Sequence, residues 1–231
     1  MGKIDAYSDF WKEKVREYGL KDGLDKIIDI LKELDAKDYF ELGIGTGWPI
    51  ASELINAGKN IYGCDLSAQS VLNAVNDFPQ LYGRVYAGTI DDCNRLDIHE
   101  YDCVYCIRSS WHMKDFPQRE LKSMLELTKP GGYVVFNIIN RESSLNKKPV
   151  RSILKGVLAT VIYRLVCSLK VLLIDEDYSG QIKQYFYTDR EIRDRLVGCD
   201  IRAVSVNQLE KGMDEIYDVD SQKILYIVRK Q

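Results

Sequence analysis

Three glycines follow an apolar run in the stretch YFELGIGTGWP, residues 39–49. Gly43, Gly45 and Gly47 occupy every second position, and Glu41 stands two residues before the first of them. Glycine beside a strand packs no side chain and loses more conformational entropy on folding than any other residue. Three glycines together therefore indicate a loop whose backbone N–H and C=O groups must come close to a bound ligand.

The spacing of these glycines does not fit two common nucleotide-binding loops. The dinucleotide fingerprint needs G-x-G-x-x-G, but the sixth position is Trp48 when counted from Gly43 and Ile50 when counted from Gly45. The loop also lacks the GK[ST] ending of a phosphate-binding P-loop. The sequence thus disfavours a nicotinamide-dependent oxidoreductase, a class that absence of NAD binding would exclude.

Strand-like and helix-like segments alternate along the chain, which is typical of a parallel sheet covered by helices. Strands are predicted over 39–44, 60–65, 84–88, 101–107, 132–139, 201–206 and 223–229, and helices over 7–18, 24–34, 49–57, 68–76, 117–128 and 188–198. The last two strands follow each other without a helix, which indicates antiparallel pairing. The predicted fold class is therefore α/β, a doubly wound, mostly parallel, Rossmann-like seven-stranded sheet with an antiparallel C-terminal strand and helices on both faces. The glycine loop lies at the carboxyl end of the first strand, where such sheets bind ligands.

Length and charge narrow the classes of protein further. A chain of 231 residues is long enough for one well-buried core, so we expect a single domain over 1–231 with N-terminal helices in 1–35. The net charge of −3 disfavours a general nucleic-acid binder, which needs a strongly positive face. The charged N-terminus shows no apolar signal-peptide core, and six scattered cysteines do not form a disulfide framework. We therefore expect a cytoplasmic protein.

Cys103 and Cys106 have CxxC spacing, but they lie inside the predicted strand 101–107. Residues three apart on a strand point to opposite faces, so the two thiols could not easily share a metal ion. We expect buried, reduced thiols and no metal site.

Several motifs together resemble those of one enzyme family. The stretch ELGIGTG at 41–47 resembles the first motif of class I S-adenosylmethionine (SAM)-dependent methyltransferases of the small-molecule type. Asp65 ends the second strand 22 residues after Gly43, and LTKPGGYVVF at 127–136 resembles the family's turn into the fifth strand. The resemblance covers roughly residues 36–140 strongly and 185–230 weakly. It implies SAM as the cofactor.

The resemblance also implies roles for individual residues. Glu41 is expected to face the methionine amine of SAM, and Asp65 to bind both ribose hydroxyls, because a carboxylate offers two acceptors to a vicinal diol. The adenine amine is assigned to Asp91, or to Ile90 through its backbone. Simpler structural roles stay open, since Glu41 could cap backbone N–H groups and Asp65 could cap the next helix, although Ser67 is better placed for that. The predicted cofactor-binding residues are Glu41, Gly43, Gly45, Gly47, Asp65, Leu66, Ile90, Asp91, Cys106 and Arg108.

The segment CIRSSWHM, residues 106–113, follows the fourth strand, where the family places residues near the transferred methyl group. His112 is the predicted catalytic residue, because an imidazole with an ordinary pKa of about 6.5 suits a general base at neutral pH. The alternative is a hydrogen-bonded loop histidine that shapes the pocket wall. Arg108 could bind a substrate carboxylate or phosphate, or pair with a nearby acid. The other histidine, His99, is expected at the surface.

Residues 141–187 form an insertion between the fifth and sixth strands, where the family commonly builds a substrate lid. Apolar pairs recur every fourth residue within 151–174, which predicts an amphipathic helix, and basic residues interrupt the run too often for a membrane span. Seven Lys or Arg residues oppose one Glu in 141–174. Three interpretations stay open for this segment: a lid or homo-oligomer helix, a helix on an anionic membrane surface, or a positively charged lid for a phosphorylated substrate.

The combined expectation is a SAM-dependent methyltransferase that acts on a small molecule and not on nucleic acid. A hydroxyl acceptor is favoured because His112 could serve as a base. The alternatives are an enzyme for a lipid-linked or nucleotide-linked substrate at the membrane surface, and a non-catalytic partner subunit that keeps the SAM-binding fold.

Overall fold

A computed structural model describes residues 23–96, 100–144, 184–209 and 221–231 of the chain. The predicted helices 7–18 and 151–174, most of the insertion 141–187, and His99 lie outside these ranges. Within the described residues, no helix is long and apolar enough to cross a membrane.

The structure contains the seven strands that the sequence pattern predicts and, among the described residues, the predicted helices. It also contains two helices that were not predicted, Ile90–Leu96 and Val206–Leu209, and the second lies between the last two strands, which were expected to follow each other without a helix. The strands are β1 Asp38–Leu42, β2 Asn60–Asp65, β3 Val85–Ala87, β4 Tyr101–Cys106, β5 Thr128–Ile139, β6 Asp200–Ser205 and β7 Lys223–Arg229. The helices are α1 Leu24–Glu33, α2 Ile50–Asn56, α3 Ala68–Asp77, α4 Ile90–Leu96, α5 Glu120–Leu127, α6 Asp189–Arg193 and α7 Val206–Leu209. Short 3₁₀ turns occupy Pro79–Leu81 and Ser110–His112.

The strands form one seven-stranded sheet in the order β3-β2-β1-β4-β5-β7-β6. Strands β1 to β5 pair in parallel, and β7 runs antiparallel to both β5 and β6. This arrangement confirms the predicted fold class, including the antiparallel C-terminal strand. The strand order reverses between β1 and β4, so the carboxyl ends of these two strands border the switch point at which doubly wound sheets bind ligands.

Two apolar layers cover the two faces of the sheet. One contains Leu31 of α1, Leu54 of α2 and Tyr105 of β4. The other contains Leu121 of α5 and Phe136 of β5. Strand β5 is buried almost continuously over its second half, as expected of a strand covered on both faces.

Element boundaries differ from prediction at several points. Helix α4 was not predicted, yet its first turn is closed by Thr89 and Asp92: the Asp92 N–H lies 3.2 Å from Thr89 Oγ1, and the Thr89 N–H donates to Asp92 Oδ2 at 2.9 Å. Such reciprocal bonds satisfy the unpaired donors at a helix start. Strand β5 begins at Thr128 rather than at residue 132, with a register shift against β4 that absorbs the Pro-Gly-Gly stretch.

Candidate active site

The first glycine of the loop is required by a neighbouring loop of the protein itself. Gly43 follows β1 with a φ of +82°, and its N–H donates to the Cys64 carbonyl of β2 at 2.8 Å. A Cβ added at this position would lie 2.6 Å from Ser109 Oγ and 2.8 Å from Ser109 Cβ. The loops after β1 and β4 therefore touch at a point where only glycine fits.

The second glycine faces open space. Gly45 has a φ of +56°, and a Cβ added there would meet no atom within 4 Å. Its N–H donates to Asp65 Oδ2 at 2.9 Å, which ties the loop to the end of β2. The space beside the Gly45 backbone is therefore open, and a side chain at this position would enter it; we refer to this open space as the cradle. Gly47 lies further along, against the Phe78 ring.

Asp65 is held at the end of β2 by two backbone donors. Besides the Gly45 N–H, the Ser67 N–H donates to Asp65 Oδ1 at 2.9 Å. Ser67, not Asp65, caps α3, since its hydroxyl accepts the Ser70 N–H. Burial raises the pKa of Asp65, while its two backbone hydrogen bonds act in the opposite direction. Each oxygen of a carboxylate can accept more than one hydrogen bond, so Asp65 retains acceptor capacity for a diol.

Glu41 is a buried acid on β1. Glu41 is only 5% exposed, and the Tyr105 hydroxyl of β4 donates to Glu41 Oε2 at 2.8 Å. The two residues stand opposite each other in the register of β1 and β4. Burial raises the pKa of Glu41 to about 8, the neighbouring Asp65 charge raises it as well, and the Tyr105 hydrogen bond lowers it. Sequence reasoning missed Tyr105, because the partner of Glu41 follows only from the strand register.

Two large apolar side chains near the loop are exposed. Leu66, directly after Asp65, is 69% exposed, and Trp48, directly after Gly47, is 42% exposed. Exposed apolar side chains beside the glycine loop suit contact with a ligand that has an apolar face.

The two candidate adenine residues separate in the structure. Ile90 is buried at the start of α4. Asp91 directs its carboxylate to the start of α5. Arg119, the residue before this helix, donates through Nε at 2.9 Å, and Ser123 of the helix donates through Oγ at 2.7 Å. The structure therefore brings Asp91 together with α5 rather than with Glu41, Asp65 and the glycine loop.

The segment after β4 forms the opposite wall of the switch point. Cys106 is fully buried, and burial raises its pKa far above the usual range of a thiol. Arg108 takes a left-handed backbone with a φ of +64°, and its N–H donates to Asn137 Oδ1 at 2.8 Å. A left-handed conformation at a residue with a side chain is strained and persists only where its surroundings fix it. Asn137 of β5 and Ser109 were not singled out from the sequence, although both shape this segment.

His112 ends the 3₁₀ turn that begins at Ser110. Its N–H donates to the Ser109 carbonyl at 3.0 Å, so the residue that touches Gly43 also anchors the histidine backbone. The indole Nε1–H of Trp111 donates to His112 Nε2 at 3.0 Å. A neutral imidazole that accepts through Nε2 carries its own proton on Nδ1. His112 can therefore take up a proton at Nε2 only when the indole contact opens.

Tyr185 and Tyr187 join the segment after β4 to the chain that leads into α6. The Tyr185 N–H donates to the Trp111 carbonyl at 2.7 Å, and the Tyr187 hydroxyl donates to the Met113 carbonyl. The aromatic residues after the insertion thus border the same turn as His112. In the ranges that the structure covers, no group of three His, Cys, Asp or Glu residues could hold a metal ion.

Comparison with known proteins decides the family. A family model described as "Methyltransferase domain" matches residues 11–169. The chain belongs to the class I SAM-dependent methyltransferases. This confirms the resemblance that the glycine loop, Asp65 and the Pro-Gly-Gly turn indicated.

Named methyltransferases are similar to this one in sequence over part of their length. A ubiquinone biosynthesis O-methyltransferase from Nitrosospira multiformis is 28% identical over 116 residues, which cover 49% of this chain and 48% of the relative. A malonyl-[acyl-carrier protein] O-methyltransferase from Marinomonas sp. is 31% identical over 144 residues, which cover 60% of this chain and 48% of the relative. The chain thus spans about half the length of these curated relatives.

Solved methyltransferase structures share the fold of this chain at low sequence identity. A TehB-like SAM-dependent methyltransferase from Corynebacterium glutamicum matches with a TM-score of 0.63 at 14% identity, covering 98% of this chain and 100% of the other. The magnesium protoporphyrin IX methyltransferase from Synechocystis with bound S-adenosylhomocysteine (SAH) matches with a TM-score of 0.60 at 16% identity, covering 98% and 97%.

The cofactor of this methyltransferase is SAM, and the residues present fit it. The cradle at Gly45 admits a ligand against bare backbone. The buried carboxyl group of Glu41 and the half-buried carboxyl group of Asp65 suit the two polar ends of such a ligand, an ammonium and a ribose diol.

Proposed function

We propose that this methyltransferase transfers a methyl group to a hydroxyl of a small molecule. The observation that carries the proposal is a continuous chain of contacts: Gly43 of the cofactor loop lies against Ser109, and Ser109 holds the backbone of His112. This supports the proposal, because a side chain able to accept a proton then lies in the loop that touches the glycine loop. Relatives at low identity are named O-methyltransferases, which supports an oxygen acceptor.

In the proposed complex, different residues bind different parts of SAM. Glu41 binds the methionine ammonium, and Asp65 binds the ribose hydroxyls while it holds the Gly45 N–H. Leu66 packs on the adenine face, and the Ile90 backbone contacts the adenine edge in place of Asp91, whose carboxylate is engaged with α5. Cys106 contributes its backbone, because its side chain is buried in the core.

SAM, when bound, supplies a methyl group on a positively charged sulfur. The protein then has to hold the acceptor oxygen in line with that methyl group and exclude water, which can provide much of the rate enhancement. His112 takes the hydroxyl proton at Nε2, after the acceptor hydroxyl replaces the Trp111 indole as the hydrogen-bond partner of that nitrogen. The Arg108 side chain is proposed to bind an anionic group of the acceptor, because its strained backbone is fixed at the rim of the same wall.

The test is a methyl-transfer screen with radiolabelled SAM and acceptors that differ only in the reacting group: hydroxyl, carboxyl, amine or thiol. Transfer to hydroxyl acceptors by the wild type, with loss of turnover in His112→Ala, would support the proposal. Preferred transfer to an amine or thiol, with His112→Ala fully active, would refute it. SAH binding measured by calorimetry in both proteins controls for the integrity of the cofactor site.

A second candidate function is O-methylation of a lipid-linked or phosphorylated substrate at a membrane surface. Two observations favour it: the excess of Lys and Arg in 141–174, and relatives named for ubiquinone biosynthesis. Flotation with liposomes that contain or lack anionic lipid tests it, and an R151E/K155E variant serves as the matched control. Binding to anionic liposomes that the variant loses would support the membrane role. Equal recovery of protein with both liposome types would exclude it.

A further inference from the structure

Glu41 and Tyr105 form a buried acid–hydroxyl pair near the carboxyl ends of β1 and β4, next to the glycine loop. The two residues face each other across β1 and β4, and the Tyr105 hydroxyl donates to Glu41 Oε2 at 2.8 Å. Tyr105 is itself fully buried and packs edge-on against Tyr39, with ring centroids 6.2 Å apart. The hydroxyl therefore fixes one oxygen of Glu41 from a side chain that has little freedom to move.

The surroundings of this pair disfavour a charged carboxylate before the cofactor arrives. Strand β2 contributes Asp65, whose negative charge acts on Glu41, and β4 contributes the buried thiol of Cys106. Among the residues that the structure describes, no Lys, Arg or His forms an ion pair with Glu41. Taking a carboxylate out of water without a positive partner is costly, so the carboxyl group keeps its proton to a higher pH than usual.

We propose that Tyr105 is a positioning residue that holds Glu41 for the ammonium end of the cofactor, and that cofactor binding releases the proton of this pair. The inference rests on the proposed contact between Glu41 and the methionine ammonium. That ammonium supplies the missing positive charge, and the carboxyl proton leaves to solvent as the ion pair forms. A cofactor fragment without the amino-acid moiety leaves the proton in place.

The test needs no active enzyme and begins with the wild type. SAH carries the ammonium, whereas 5′-methylthioadenosine has the same adenosine and thioether but no amino acid. Calorimetry of both ligands between pH 6 and 9, in two buffers with different ionisation enthalpies, gives the affinities and the protons released. We expect SAH binding near pH 7 to release up to one proton per site, because burial raises the pKa of Glu41 to about 8 and the ammonium would favour the charged carboxylate. Methylthioadenosine should release none.

Variants separate the positioning role from general stability. The Glu41→Gln variant should release no proton to solvent from residue 41 when SAH binds. Any proton change that remains in this variant therefore measures the titration of the ligand amine alone. Tyr105→Phe removes a hydrogen bond that lowers the pKa of Glu41, so its SAH affinity should reach its plateau at higher pH. At pH 7 its affinity for SAH should fall at least about tenfold, as expected for a lost bond to a charged group. Its affinity for methylthioadenosine should stay unchanged.

Tyr39→Phe is the matched control, because Tyr39 is a buried tyrosine on the same face whose hydroxyl donates to the Leu31 carbonyl instead. It should shift the melting temperature without changing the pH profile of SAH binding. Release of no proton by the wild type, or an unchanged SAH profile in Tyr105→Phe, would overturn the inference. Binding of neither ligand would instead overturn the proposed cofactor contacts, so the two failures are distinguishable.

Discussion

Adding one methyl group at two neighbouring glycines should produce two different defects. A side chain at Gly43 would collide with Ser109 Oγ at 2.6 Å, whereas a side chain at Gly45 would enter the open cradle. Both positions have a left-handed backbone, which costs a residue with a Cβ about 1–2 kcal/mol. Overpacking adds about 1–3 kcal/mol at Gly43 only.

Gly43→Ala should therefore lose about 3 kcal/mol of unfolding free energy, or roughly 6–12 °C in Tm for a chain of this size. Gly45→Ala should lose only about 1–2 kcal/mol of unfolding free energy. Its affinity for SAH should fall about tenfold or more, because the Cβ occupies the cradle. Gly58→Ala is the control for strain alone. Gly58 also has positive φ and open space, and it lies at the end of α2, away from the carboxyl ends of the strands.

The assays are thermal and urea denaturation for stability and calorimetry with SAH for affinity. The double variant Gly43→Ala/Ser109→Gly should regain the unfolding free energy that Gly43→Ala loses through the collision with Ser109. It should not regain the free energy lost through the left-handed backbone at residue 43. Absence of any recovery would show that the contact with Ser109 is not the cause. An unchanged SAH affinity in Gly45→Ala would show that the cradle does not receive the cofactor.

Three further variants test separate parts of the site and fold. His112→Ala should lower turnover on a hydroxyl acceptor at least about tenfold, and SAH affinity from calorimetry should stay the same; unchanged turnover would remove His112 as the base. Glu41 has its pKa raised by burial, so without cofactor it contributes stability that is present below its ordinary pKa of 4.5 and is lost as pH rises through about 8. In denaturation experiments, the unfolding free energy of Glu41→Gln should decline less with rising pH than that of the wild type. The same pH dependence in both proteins would contradict the argument that burial raises the pKa of Glu41. Asp102 accepts hydrogen bonds from Lys129 and from the backbone N–H groups of residues 37–38, which lower its pKa to about 2. Asp102→Asn should therefore have a lower Tm than the wild type at neutral pH, and the difference in Tm should vanish as pH falls towards 2. Its SAH affinity should stay unchanged.

The features predicted correctly from the sequence are those encoded by neighbouring residues. Alternating apolar runs and helix patterns sufficed for the seven strands, and the glycine loop with Asp65 needed only the local order of residues. Ser67 was expected to cap α3 and does so. The missed helix α4 also had a local signal, since Thr89 and Asp92 have the spacing of a capping box that sequence inspection could have found.

The remaining contacts of the site depend on the strand register and on the packing of helices, which spacing along the chain does not fix. Tyr105 meets Glu41 only because β1 and β4 pair in one register. Asp91 is drawn to α5 by Arg119 and Ser123, which follow it by 28 and 32 residues. The need for glycine at position 43 was predicted, but its nearest cause is the Ser109 side chain rather than a ligand.

The close contact between Gly43 and Ser109 also affects how the cofactor and the methyl acceptor are aligned. The loop after β1 holds the cofactor in our proposal, and the loop after β4 holds the acceptor side, so the distance between methyl group and acceptor depends on how closely these loops approach. Ser109 packs against Gly43 and bonds the His112 backbone, while Asn137 fixes the neighbouring Arg108. In-line transfer tolerates little displacement of the reacting atoms. The glycine that seemed to serve only the cofactor therefore also sets the position of the opposite wall, and a change at Ser109 should alter turnover before it alters cofactor affinity.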